Sequence, residues 1–254
     1  MKQPSPINVC GSVLALLLGL ALLAATPGRA AEEAAEKARP AKQPKQVKAA
    51  EKAKADPYAW KSLFDGKTLT NWKSPNFGGE GKVYVKDACI VMEMGSADMS
   101  GIVWTGDEPL KTNYELELDG KRVQGGDFFC TTTFPVGDES CSFVVGGWAG
   151  TVVGLSCVDW YDAADNETTD FMAFEDKKWY RVRIRVSDAK IECWIDEDKL
   201  VDLPRKGHKF SIRMECDPCL PLGVATFQTE GWVKNIRVRK LKPEEVAEAA
   251  KDAE

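Results

Sequence analysis

The segment Trp179–Leu203, WYRVRIRVSDAKIECWIDEDKLVDL, decides the architecture. Tyr180, Val182, Ile184 and Val186 alternate with Arg181, Arg183 and Arg185, so an extended chain would carry one apolar and one basic face. Ile191, Cys193 and Ile195 point one way on a second strand, Asp196 to Asp198 supply a turn, and Leu200 begins the return, which makes a β-hairpin. A repeat of two excludes helix here, because a helical stripe needs a period near 3.6. Working outward, YELELDGKRV (114–123) sets Tyr114, Leu116 and Leu118 against Glu115, Glu117 and Asp119. KVYVKDACIVMEM (82–94) breaks into two runs at Lys86-Asp87, and VKNIRVRKL (233–241) alternates with a slip near Asn235. VVGGW (144–148) and GTVVGL (150–155) read as two strands joined by a tight Ala149-Gly150 turn. Many short strands without sustained helical periodicity predict an all-β fold: a two-sheet antiparallel β-sandwich or jelly roll.

The strands occupy only part of the 254 residues. Val13–Ala25 is a continuous apolar run behind a charged start and ahead of small residues, the order of a secretory signal, and it is too short to span a bilayer. The expected division is a signal peptide at 1–30, a disordered linker at 31–56, the sandwich at 57–241 and a charged tail at 242–254. The linker is Ala, Lys, Glu, Gln and Pro with almost no large apolar side chain, and cannot bury enough surface to offset its ordering entropy. In the tail, Pro243 offers a helix start and Glu244 and Glu245 suit a first turn, with nothing demanding that it pack. Export to the periplasm or exterior follows, with no membrane span once the signal is removed. A formal net charge of -5 disfavours nucleic acid as partner.

Of eight cysteines, Cys10 falls in the signal and seven remain. An oxidising compartment predicts some disulfides, with Cys130 and Cys141 placed to face each other across a hairpin. Cys216-Asp-Pro-Cys219 has redox or zinc spacing, but one histidine and no second such pair leave no four-ligand zinc site. Most of these cysteines read as small buried hydrophobes.

WKSLFDGKTLTNWK (60–73) resembles the opening of the 3-keto-disaccharide hydrolase domain family, and PLGVATFQTEGWVKNIRVRKL (221–241) resembles its closing strands. The resemblance spans roughly Tyr58 to Leu241 and implies a concanavalin-like jelly roll acting on sugars, some relatives cleaving glycosides oxidised at carbon 3. The middle departs from the family. GGDFFCTTTF (125–134) and SCSFVVGGW (140–148) stand where NSGI-type and E-x-Q-I-L-D-type segments fall, and the acidic residue of the second is unmatched, which marks a divergent branch.

Chemistry on a 3-keto sugar needs a base near carbon 2, an acid or water for the leaving oxygen and a donor at the enolate oxygen. CVDWYDAADNETTDF (157–171) concentrates carboxylates, an amide and an aromatic on one connection. Glu167 and Asp159 are the expected proton-transfer pair; Asp127, Trp148, Trp160, Asn166 and Gln228 are the expected sugar contacts. No resident metal or other cofactor is assigned, although Asp162–Glu167 offers hard oxygens of the kind calcium takes. The alternative is a non-catalytic carbohydrate-binding or envelope-scaffold domain using the same loop, the partner in either case being a glycan or oxidised disaccharide. His208 reads as solvated, Trp72, Trp179 and Trp194 as core, and Arg213 and Glu215 as exposed polar positions. Oligomeric state is not legible.

Overall fold

The computed structural model describes residues 56–253, so the signal 1–30 and the linker up to residue 55 lie outside the described residues. In chain order the strands are β1 (Lys61–Ser62), β2 (Trp72–Lys73), β3 (Val83–Lys86), β4 (Cys89–Met92), β5 (Met99–Trp104), β6 (Tyr114–Gly125), β7 (Thr131–Val136), β8 (Glu139–Gly146), β9 (Val152–Ser156), β10 (Asp170–Phe171), β11 (Tyr180–Val186), β12 (Lys190–Ile195), β13 (Asp198–Pro204), β14 (Gly223–Phe227) and β15 (Thr229–Lys240). They form two antiparallel sheets. The first runs β13-β12-β11-β6-β15-β4-β3, with β1 also beside β15; the second runs β10-β9-β8-β7-β14-β5-β2. This is the predicted sandwich. No helix among the described residues is long and apolar enough to cross a membrane.

The alternations noted in the sequence become its two inner faces. Leu116, Leu118, Val182, Ile184, Val233 and Ile236 of the first sheet pack in one apolar cluster with Ile102, Phe134, Phe143, Val153, Leu155 and Val224 of the second. The slip near Asn235 is a register shift between Lys234 and Arg237, with Asn235 in the left-handed region at φ 54°. The Asp196-Glu197 turn closes the β12–β13 hairpin, again with a left-handed residue at its first position, φ 53° at Asp196.

The outer face of the first sheet is a ladder of opposite charges. Register sets Glu115 of β6 between Arg185 of β11 and Arg239 of β15, and Glu117 between Arg183 and Arg237. Cross-strand pairs of opposite sign reinforce that register. Trp179, expected in the core, lies on this outer face instead; Trp194 is buried as expected, but beneath cations on the same outer face and not between the sheets. Lys121 and Lys234 sit 4.5 and 4.1 Å from the Trp179 ring centroid, and the Arg183 guanidinium 3.9 Å from that of Trp194. Alternation is the reason: both tryptophans share strand parity with charged neighbours, and cations cover their rings. Trp72 is core as expected, donating from Nε1 to Leu63 O at 2.8 Å.

The C-terminal segment forms a helix, Pro243–Asp252, and it packs where no packing was expected. Ala249 is buried, Lys190 Nζ lies 3.6 Å from Asp252, and Arg239 donates to both Glu245 oxygens at 2.7 Å. That guanidinium holds the Glu245 carboxyl at about 2, down from 4.5. Because its folded value is depressed, Glu245 stabilises the fold above the ordinary carboxylate range, and that contribution is lost as pH falls from 4.5 towards 2. Replacing Glu245 by Gln should therefore cost about 1–2 kcal/mol at neutral pH, the part-exposed pair being partly screened by solvent. The melting-temperature gap between the two proteins should close as the buffer is acidified through that window; a constant gap would show that the pair does not titrate with folding.

The expected disulfides are not formed. All seven cysteines of the described residues are free and buried. Register explains Cys130 and Cys141: Cys141 pairs with Phe134, leaving Cys130 further along, just before β7 begins. Burial pushes the Cys216 thiol up to about 11 and Cys219 higher still, so the Cys-x-x-Cys pair stays protonated and poor at redox exchange or metal ligation.

Candidate functional site

β8 and β9 are joined by Gly147–Gly150, and this turn makes the first half of the site. Trp148 and Ala149 both have positive φ, 47° and 66°, between Gly146 at 79° and Gly150 at 101°. Asp127 fixes the bend from the neighbouring strand connection, accepting from Ala149 N at 2.9 Å and Phe128 N at 2.8 Å. Trp148, 40 % exposed, is thereby held at the rim of a cavity of about 270 Å³ on the outer face of the second sheet.

Small hydroxyl residues lie on that face because they alternate with the core residues of β7, β8 and β9. Thr131, Ser142 and Ser156 line the cavity, while Phe143 and Leu155 point to the core. Ser142 Oγ and Thr133 Oγ1 bond each other at 2.8 Å. Arg213 and Glu215 close one side, next to the short 3-10 turn Met214–Cys219. Arg213 Nη1 donates to Asp162 at 2.7 Å and Nη2 to Glu215 at 3.1 Å, with the guanidinium 5.8 Å from the Trp148 ring centroid. The arginine holds the Glu215 carboxyl below the usual range.

The second half is the acidic connection after β9. Cys157 exchanges backbone bonds with Ser211, and Asp159 N donates to Lys209 O, so the stretch after β9 is zipped to residues 50 positions away. Val158 and Tyr161 bond each other in both directions, leaving Asp159 (φ 51°) and Trp160 (φ 76°) at a tight hairpin tip. Trp160 is 79 % exposed there. Asp159 Oδ2 lies 2.7 Å from His208 Nδ1, and Glu167 Oε1 lies 3.6 Å from His208 Nε2. The Lys209 N–H, then the imidazole, hold the Asp159 carboxyl below its ordinary value. His208, read from sequence as solvated, is clamped between the two carboxylates with its side chain 21 % exposed.

The seven sequence-predicted residues thus separate. Asp159 and Glu167 converge on His208; Asp127 and Trp148 meet at the cavity; Trp160 stands out at the hairpin tip. Asn166 has its amide engaged within the loop: Nδ2 donates to Leu155 O, Tyr161 O and Asp162 O at 2.7, 3.1 and 2.7 Å, and Oδ1 accepts from Thr168. Gln228 Nε2 donates to Asp98 at 2.8 Å, outside the cavity lining. Asn166→Ala is expected to destabilise by about 2–3 kcal/mol through several orphaned backbone groups. It should also raise protease cleavage within 157–170; unchanged melting and cleavage would return the amide to ligand contact.

A ligand atom from each of Asp159, Glu167 and His208 lies within 4.8 Å of the others, a spacing one divalent cation can bridge. With Nδ1 engaged by Asp159, His208 Nε2 and Glu167 would be the donors, as in carboxylate–histidine–metal arrangements. Calcium at Asp162–Glu167 fits poorly. Asp162 is held by Arg213 and by Ala164 N, and Asn166 Oδ1 by Thr168.

His208 is the site residue that sequence did not single out, while Arg213 and Glu215, weighed as possible lining but taken by default as exposed polar positions, do line the cavity. No local motif surrounds them, and the pairing of residues 157 and 211 that positions them is a long-range contact.

With this geometry in place, the comparisons define the class of protein. The model of the 3-keto-alpha-glucoside-1,2-lyase-like domain matches residues 59–239, and the chain belongs to that carbohydrate-active family. No curated protein matches the chain. Among solved structures, the chain is similar to the apo Crh5 transglycosylase at 16% identity, TM-score 0.52, over 74% of this chain and 86% of that one. It is also similar to the carbohydrate binding module CBM66 from Bacillus subtilis (11% identity, TM-score 0.44, covering 67% and 96%). A third similar structure is domain 4 of an extracellular arabinanase from Geobacillus stearothermophilus (15% identity, TM-score 0.46, covering 76% and 97%). At 16% identity the likeness to the transglycosylase shows a shared fold alone.

Proposed function

We propose that the domain cleaves the bond between carbon 1 and its substituent in glycosides carrying a ketone at carbon 3. The observation that carries this reading is the convergence of Asp159 and Glu167 on the one histidine of the chain. Asp159 accepts the Nδ1 proton and orients the ring, so His208 Nε2 and Glu167 form the proton-exchanging pair. The ketone makes the hydrogen on carbon 2 acidic. A base removes that proton, and the released electron pair forms the enolate across carbons 2 and 3. Collapse of the enolate restores the ketone, makes a carbon 1–carbon 2 double bond and expels the substituent, whose oxygen takes a proton. Water adds afterwards where hydrolysis is the net result. Membership of the lyase-like family supports the same chemistry. The apolar run Val13–Ala25 supports an exported protein that meets its glycan outside the cytoplasm. The proposed domain bounds remain 57–241, with the C-terminal helix docked on them.

One observation favours a second reading, a domain that binds carbohydrate without cleaving it. Trp160 stands at the hairpin tip 79% exposed, an open aromatic face that can stack on a sugar ring with no proton-transfer group taking part. Incubating the full chain with 3-keto and ordinary glucosides separates the readings. Release of aglycone from the 3-keto compounds alone supports cleavage; binding without release supports the second.

A further inference from the structure

The cavity beside Trp148 is unlike a pocket built to hold a sugar ring. Met99, Phe128, Val144, Trp148, Cys216 and Phe227 make its apolar walls. The Phe128 and Phe227 rings lie 5.7 Å apart at 40°. Met99 and Cys216 belong to a small apolar cluster separate from the main core, with Phe128 and Phe227 packed against it. Its polar groups are largely engaged. Both Asp127 oxygens accept backbone N–H groups, Arg213 is divided between Asp162 and Glu215, and Ser142 Oγ is bonded to Thr133. A pyranose buried there would leave several hydroxyls without partners, each a substantial loss. An aromatic ring would lose none. Apolar cavities of about 150 Å³ already accept benzene, so about 270 Å³ has room for a substituted ring.

We infer that this cavity binds the apolar, aromatic aglycone of a glycoside, leaving the sugar towards the rim. The inference rests on the proposed reading of the substrate as a glycoside. Two connections join cavity and acid–histidine cluster. Ser156 on the cavity wall precedes Asp159 by three residues, at most about 11 Å of chain. Asp162, on the same connection as Asp159 and Glu167, grips the cavity's Arg213 at 2.7 Å.

The test measures binding of phenyl and methyl α-glucosides to the full chain by calorimetry, and release from their 3-keto forms. Phenyl compounds should bind about tenfold tighter or more, with a more negative heat-capacity change. Phe227→Ala should reduce that preference several-fold while leaving methyl glucoside binding unchanged. Should Phe227→Ala misfold, Trp148→Leu, at an exposed position that spares the core, should likewise reduce the phenyl-over-methyl preference several-fold, whatever it does to binding of the sugar itself. Equal affinity for the two aglycones, or a preference that survives in both variants, overturns the inference. Release of phenol and methanol at equal kcat/KM would overturn it while sustaining cleavage. Tight phenyl binding with no release from any 3-keto compound would sustain the aglycone cavity and remove the cleavage reading.

Discussion

Aglycone release from a 3-keto-glucoside is expected to fall by about 10²–10⁴-fold in the Glu167→Gln protein, the usual range for loss of one positioned acid–base group. Glu167 has little structural duty. Its side chain is 56% exposed, and among the described residues His208 Nε2, 3.6 Å away, is its one ionic neighbour. Gln keeps the shape and removes the oxygen to which proton exchange is assigned in the proposed function, so the melting temperature should be unchanged while release collapses. A variant as active as wild type would take Glu167 out of the chemistry. Asp159 acts differently. It turns the imidazole through Nδ1 and also accepts Lys209 N at 2.8 Å, so Asp159→Asn should slow release and loosen the hairpin tip together. A loss confined to Asp159→Asn, with Glu167→Gln unaffected, would point to positioning alone.

The largest stability loss is expected far from this site, at Glu115. Its side chain is 3% exposed on β6, with Arg183, Arg185 and Arg239 around it at 3.6 Å, 3.3 Å and hydrogen-bonding distance. Glu115→Gln leaves the arginines crowded and without their central counter-charge. Removing one partner of a buried ionic group costs about 3–5 kcal/mol, which for a domain of this size lowers the melting temperature by roughly 10 °C. The exposed pair Lys61–Asp107, with side chains 62% and 88% exposed, provides the contrast. Lys61→Ala should change stability by less than about 1 kcal/mol. Burial decides the difference, because solvent screens the second pair and not the first. Equal effects from the two variants, read by thermal melting, would refute the ladder as a source of stability.

Much of this ladder is legible before any fold is known. ELEL at 115–118, flanked in space by RVRIR at 181–185 and RVR at 237–239, carries both the apolar alternation and the complementary charge. The helix at Pro243–Asp252 is half legible. Its proline and first-turn acids signal helix, but the docking of Glu245 needs Arg239 brought alongside. Cysteine usage misleads, since an oxidising compartment predicts bridges and the strand register keeps Cys130 and Cys141 apart. His208 is the clearest gap. GHKF at 207–210 has the composition of a solvated turn, and only pairing across 49 residues turns its imidazole into the partner of Asp159.

From the chain alone came the sandwich, the hairpins and the acidic connection, because a strand writes its two faces into every second residue and a turn into one or two. Which acids share a histidine, which tryptophans meet cations and which polar groups remain for a ligand were settled by tertiary pairing. Those outcomes depend on register between distant segments, a relation to which neither segment's own pattern refers.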